Sequence, residues 1–212
     1  FLEQKIATLP ITCQFDSNVT HLDSKQIATE QGNYESFDLV FDCRGISASQ
    51  DLSTLRGVRG ELIELHAPEV ELQHALHLMH GRYPVYLVPR GRSCYALGAT
   101  NIESENQGPV TVKSALELLS LAYGVHPGFR YAEIQKLVAN CRPAFPNNRP
   151  KVSVQDGVWR LNGLYRYGFL MSPLLVELVI KLLHGQSLSH DERQMTEAPQ
   201  QSSQGGNTYL WN

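Results

Sequence analysis

The stretch from Ser172 to His184 constrains the fold most. It carries Leu174-Leu175-Val176-Glu177-Leu178-Val179-Ile180, apolar nearly all round at helical spacing. A helix of that kind offers water no broad polar stripe, so other elements must cover it on most sides. Its ends carry capping chemistry: Ser172 as N-cap, Pro173 at the first helical position and Gly185 as the stop. Burying it takes a real core, and 212 residues, 42% of them hydrophobic, suffice for one or two domains.

Upstream, the pattern favours strands. Val58 to Leu65 and Tyr83 to Val88 are β-branched, apolar or aromatic runs, and Cys94 to Thr100 alternates between two faces. Gly91-Arg92-Ser93 reads as the hairpin turn between the last two. Gln26 to Thr29 can pair in a short hairpin. Phe37 to Asp42 is a compact strand that leaves through Cys43-Arg44-Gly45. Thr111 caps a helix with Val112, Leu116, Leu119 and Tyr123 at helical spacing and Gly124 at its end. Ile134 to Arg142 is a further strand, closed by Pro143. After Gln186 the chain turns polar, and Gln200 to Gly206 has the composition of a flexible tail.

Charge and motif content exclude several classes. A net charge of −3 gives no attraction to nucleic acid or membrane surfaces. No apolar run approaches the roughly 18 residues of a membrane span. Cys13, Cys43, Cys94 and Cys141 are spaced too irregularly for zinc or redox motifs and read as reduced thiols of a cytoplasmic protein. His74, His77 and His80 fall three apart but lack cysteine or carboxylate partners, so no metal is expected. Neither a G-x-G-x-x-G loop nor a Walker loop is present.

Three segments can carry chemistry. Arg142, at the end of an apolar strand in Asn140-Cys141-Arg142-Pro143-Ala144, needs an anion: the carboxylate of a ligand or of an internal ion pair. In Gly163 to Pro173, two glycines bracket Tyr165-Arg166-Tyr167 just before the apolar helix. This is either an anion-binding helix start or an ordinary strand–loop–helix connection. Tyr83-Pro84-Val85-Tyr86-Leu87-Val88-Pro89-Arg90 sets two tyrosines and an arginine along one extended segment, as packing or as a site wall.

In order, these segments resemble the D-amino-acid oxidase superfamily, and within it the glycine oxidases of thiamine biosynthesis. Asp38 to Gly45, Leu55 to Glu61, Tyr86 to Arg90 followed by Leu97 to Thr100, Cys141-Arg142-Pro143, and Gly163 to Pro173 carry the resemblance over roughly residues 10–185. It implies a mixed α+β and α/β fold. Residues 1–55 and 136–188 would be the remainder of an FAD-binding Rossmann-like domain, 56–135 an antiparallel or mixed-sheet substrate domain, and 189–212 a flexible tail. Arg142, Arg166 and Tyr86 would bind a small amino-acid substrate. FAD would be contacted by Val19, Leu164, Tyr165, Arg166, Tyr167, Gly168, Phe169 and Leu170, and the helix start at Ser172 would face the flavin.

The implied activity is oxidation of glycine or a similar small amino acid to the imine and 2-oxo acid, with peroxide formed and no side chain serving as acid or base. A sarcosine or D-amino-acid oxidase or dehydrogenase, and a binding domain that has lost its flavin, are the alternatives. A homo-oligomer is left open. The sequence departs from the family at Asn101, where related oxidases often carry an apolar residue, and in lacking the dinucleotide glycine loop, which would lie before Phe1. The 212 residues alone are therefore expected to be inactive.

Overall fold

The computed structural model describes residues 2–200 except 33, 80 and 82. A short helix, α1 (Leu2–Ile6), precedes a three-stranded antiparallel sheet of β1 (Val19–Leu22), β2 (Gln26–Thr29) and β3 (Tyr34–Ser36). The expected hairpin at Gln26–Thr29 is thus present. Of the expected strand Phe37–Asp42, only β4 (Phe41–Asp42) pairs, so the strand is shorter than the apolar run suggests.

A six-stranded sheet follows. It contains β5 (Arg56–His66), β6 (Leu76–Met79), β7 (Pro84–Gly91), β8 (Cys94–Gly98) and β9 (Ile102–Glu103). The β7–β8 turn has Arg92 and Ser93 both at positive φ (51° and 57°), the backbone that closes a two-residue hairpin with the right twist. Just before it the β7 register slips between Pro89 and Gly91, which takes Arg90 out of the pairing. Helix α2 (Val112–Val125) begins where expected, with the Thr111 hydroxyl accepting from the Ser114 N–H.

The face α2 buries differs from the expected one. Ser114, Leu118 and Ala122 are buried; of the expected stripe Leu119 packs half-buried against the core, whereas Val112, Leu116 and Tyr123 are exposed. A pair of stripes roughly 130° apart at 3.6 residues per turn is hard to rank by periodicity alone. At the first turn Glu61 Oε1 accepts the Thr111 N–H, and Ser114 is buried there. Leu118 and Ala122 then meet Ile63, Leu65, Val85, Leu87, Tyr95 and Leu97 of the sheet in the largest core cluster.

Strand β10 (Glu133–Ala144) pairs with β5 along eleven registered positions, from Glu133–His66 to Ala144–Arg56. It runs two residues past Arg142. Pro143 is tolerated because β10 lies at the edge of the sheet, where a missing N–H breaks no second ladder. The chain then builds a four-stranded sheet from β11 (Lys151–Gln155), β12 (Val158–Asn162), β4 and, last in sequence, β13 (Thr196–Gln200). Helix α3 (Gly168–Leu183) packs on it through Leu175, Leu178 and Val179 against Val152, Val154 and Trp159. Leu178 is fully buried, and truncating such a side chain costs about 2–5 kcal/mol.

Two expectations fail here. The apolar helix is not covered on most sides, since Val176, Ile180 and Leu183 remain exposed. Residues 189–200, assigned to a flexible tail by their polarity, instead form α4 (His190–Arg193), closed by a Ser189–Glu192 capping box, and β13, which pairs with β11. Backbone pairing needs no apolar side chains, so composition missed it. The stretch 201–206 lies outside the described residues.

Candidate active site

Arg142 sits where β10 crosses β5, opposite Val58. Its guanidinium lies flat over Gly60: a Cβ there would stand 2.3–2.4 Å from Nη2, Cζ and Nη1. Gly60 is thus the residue that makes room for the arginine. The sequence signal was a glycine inside an apolar strand, which marks a close approach. Arg142 Nη1 donates to the Thr100 carbonyl at 3.1 Å, and among the described residues it has no carboxylate partner. Burial, and after it the positive charge of Arg166, disfavour its charged form. An arginine stays protonated even so.

The connection between β12 and α3 brings the second arginine. Asn162 closes its start: its Nδ2 donates to the Gly45 carbonyl and its Oδ1 accepts the Gly163 N–H. Gly163 has φ +76°, and a Cβ there would stand 2.2 Å from the Phe145 ring. Tyr165 has φ +50°, a backbone that bulky residues rarely adopt. Its N–H donates to the Pro143 carbonyl at 3.0 Å and its hydroxyl to Asn101 Oδ1 at 2.8 Å. The loop is therefore fastened to β10 and to the end of β8, which carries Arg166 to Tyr86, its Cζ 6.0 Å from the ring centroid. Tyr86 also stacks on His77, ring centroids 4.5 Å apart. His77, which no spacing rule links to Tyr86, lies on β6 and pairs with it.

The helix start is corrected. Helix α3 begins at Gly168, with Tyr167 at the cap position and no side chain capping it. Pro173 lies inside the helix, and the Ser172 hydroxyl donates back to the Gly168 carbonyl. The missing Pro173 N–H would have met the Phe169 carbonyl. Phe169 is 91% exposed, so water can take that place. Gly168, Phe169 and Leu170 consequently form the first turn of the helix, and Leu164 to Tyr167 the loop. Tyr167 and Leu170 are exposed with Phe169, an apolar rim around uncapped N–H groups at the positive end of a 16-residue helix.

Val19 is elsewhere. It lines a cavity of about 280 Å³ with Thr12, Gln14, Ile27, Thr29, Glu35 and Phe37 on the three-stranded sheet. The Thr29 hydroxyl in its wall is buried, with no hydrogen-bond partner among the described residues. The structure thus brings Arg142, Arg166, Tyr86, Tyr165 and Asn101 together and sets Val19 apart.

Two buried ionic networks hold this frame. Arg59 donates through Nε and Nη2 to Glu61 Oε1 (3.1 and 2.7 Å) and through its other N–H groups to the Asn106, Gly108 and Pro109 carbonyls. Burial pushes the Glu61 carboxyl upward, but hydrogen bonds from Ser114, Arg59 and the Thr111 N–H outweigh it and hold the group below its ordinary value. Thr100, which supplies the carbonyl for Arg142, bonds Glu61 through its hydroxyl. The second network joins buried Asp42 to Arg44 (2.9 Å) and Arg160 (2.6 Å), fixing β4 to β12.

The family described as FAD dependent oxidoreductase matches residues 2–182. The chain belongs to that family. A thiamine biosynthesis oxidoreductase, ThiO, of Rhizobium etli is 42% identical over 146 residues, covering 69% of this chain and 45% of that protein. The glycine oxidase of Geobacillus kaustophilus is 27% identical over 137 residues, 63% of this chain and 36% of its own. In three dimensions the fold matches iminodiacetate oxidase from Chelativorans (TM-score 0.69, 22% identity, 88% of this chain and 53% of that one). It also matches the crystal structure of the Geobacillus glycine oxidase (TM-score 0.67, 22% identity, 84% and 50%). The chain spans about half the length of these relatives.

The family's cofactor is FAD. The residues present fit it at two places: the uncapped start of α3, where an anionic ring would meet free N–H groups, and the cavity with the orphaned Thr29 hydroxyl. Among the described residues no group of histidine, cysteine, aspartate and glutamate is placed to hold a metal ion. No helix among them is long and apolar enough to cross a membrane.

Proposed function

We propose that the protein oxidises glycine or a similar small amino acid to its imine, which water then hydrolyses to the 2-oxo acid, while oxygen takes up the electrons as peroxide. The observation that carries this reading is Arg142: a half-buried guanidinium with room made by Gly60, one carbonyl partner, and no carboxylate partner among the described residues. Its fork suits an amino acid's carboxylate, gripped by two parallel hydrogen bonds.

FAD supplies the two-electron acceptor when bound. The chain's own residues orient the substrate. Arg142 holds the carboxylate and Arg166 adds a second positive charge beside it. Tyr86, held between His77 and Arg166, covers the substrate. No side chain is assigned as acid or base, and rate comes from holding the α-carbon in line for transfer. Leu164 to Leu170 would contact the flavin ring, with the helix start at Gly168 stabilising the negative charge of its reduced form. Val19 would meet the adenine end. The likeness to ThiO supports a place in thiamine biosynthesis, and four free cysteines support a cytoplasmic one. The likeness to iminodiacetate oxidase supports a second reading, a secondary amine as substrate.

The test is oxygen uptake and peroxide release by the FAD-loaded protein with glycine, sarcosine and small D-amino acids. Turnover of one of them is expected. No peroxide with any of them overturns the proposal.

A further inference from the structure

Thr100 and Glu61 pair in an unequal way. In an antiparallel ladder, two residues that form a hydrogen-bonded pair exchange both N–H···O=C bonds. The regular pairing of β5 with β8 ends at Leu62 and Gly98. Just beyond it, Thr100 donates its N–H to the Glu61 carbonyl at 3.1 Å. The Glu61 N–H does not return the bond to the Thr100 carbonyl; it donates to the Thr100 hydroxyl at 2.9 Å. That hydroxyl in turn donates to Glu61 Oε2 at 3.3 Å, which holds it in place. Both residues are fully buried. The Thr100 carbonyl is thereby released from the ladder, and it is this carbonyl that accepts Arg142 Nη1 at 3.1 Å. Over Gly60, which leaves the guanidinium room, this is the one side-chain hydrogen bond of Arg142 among the described residues.

We propose that Thr100 is a positioning residue for the carboxylate grip: its hydroxyl occupies the Glu61 N–H, so that its carbonyl is left to aim the Arg142 guanidinium. The inference rests on the proposed carboxylate-binding role of Arg142 and goes beyond it in naming what holds that side chain in place. A side chain of the same shape without the hydroxyl leaves the buried Glu61 N–H without a partner. The Thr100 carbonyl is then its nearest substitute, and Arg142 loses its hold.

Acetate tests it, since it offers a carboxylate and no amine to oxidise. It is titrated calorimetrically into the FAD-loaded protein, beside a thermal melt of each variant. The native protein should bind acetate and Arg142→Leu should not. Thr100→Val should weaken acetate about tenfold, the worth of one hydrogen bond to a charged group. Thr100→Ser keeps the hydroxyl and should restore binding to within about twofold of native, whatever its melting temperature. Thr100→Ala, with the same loss expected, takes the place of Thr100→Val if that variant does not fold. Equal weakening in Thr100→Ser and Thr100→Val, or native affinity in a folded Thr100→Val, overturns the inference alone. So does failure of both Thr100→Val and Thr100→Ala to fold, which would show that the hydroxyl serves the sheet. Acetate that the native protein does not bind, or that Arg142→Leu binds equally well, overturns the carboxylate-site reading with it.

Discussion

Gly60→Ala is the most informative single substitution, because it separates the site from the fold. The new Cβ would stand 2.3 Å from Nη2 and 2.4 Å from Cζ and Nη1 of Arg142. Ordinary non-bonded separations are about 3.5–4.0 Å, so the guanidinium must move by about 1 Å or more. It can, since it is the far end of a flexible side chain held by one hydrogen bond to Thr100. The backbone at Gly60 has an ordinary φ, so alanine brings no strain and lowers the entropy of the unfolded chain, worth about 0.4–1 kcal/mol. Stability should therefore change by less than about 1 kcal/mol. A 1 Å misplacement of the carboxylate grip, by contrast, lowers kcat/KM about a hundredfold. The assay pairs a thermal melt with steady-state kinetics on the amino acid that the protein turns over. Unaltered kcat/KM would refute the argument that Gly60 makes room for a functional Arg142. A large fall in Tm would show that the glycine serves the sheet instead.

Other outcomes follow from the same geometry. Gly163→Ala should lower stability by roughly 1–3 kcal/mol or more, seen in denaturant melts, because φ +76° disfavours alanine and the Phe145 ring 2.2 Å away is wedged in the core. Glu61→Leu should cost about 3–5 kcal/mol, by leaving Arg59 buried and unpaired. The Glu61 carboxyl is held below its ordinary value, so its stabilising contribution is complete above the ordinary glutamate range. It should fade as pH falls below about 5 through the folded value, so denaturant midpoints for the native protein but less so for Glu61→Gln should drop there.

Much of this was written in local pattern. The two-residue periodicity of β5, β7 and β8, the Thr111 cap and the Gly91–Cys94 turn follow from the chain alone, because each is decided by residues that are neighbours in sequence. The start of α3 was missed because Ser172-Pro173 is a good helix opening, and only the tertiary anchors of Tyr165 on Pro143 and Asn101 extend the helix back to Gly168. Arg142 was legible as a lone charge in an apolar strand. The glycine at 60 marks a close approach without naming what approaches, and His77 and the Thr100 carbonyl were not legible, since each meets its partner across strands and no spacing rule links them.

The central claim is that Arg142 presents an amino acid to bound flavin. The direct test is anaerobic mixing of the FAD-loaded protein with glycine, sarcosine or a small D-amino acid while the visible flavin band is followed. Bleaching is predicted for the native protein. For Arg142→Leu, with flavin still bound, the concentration needed should rise about a hundredfold, as expected for loss of roughly 2–5 kcal/mol of charged pairing. A flavin that none of these amines bleaches, or one that bleaches as readily in Arg142→Leu as in the native protein, would contradict it.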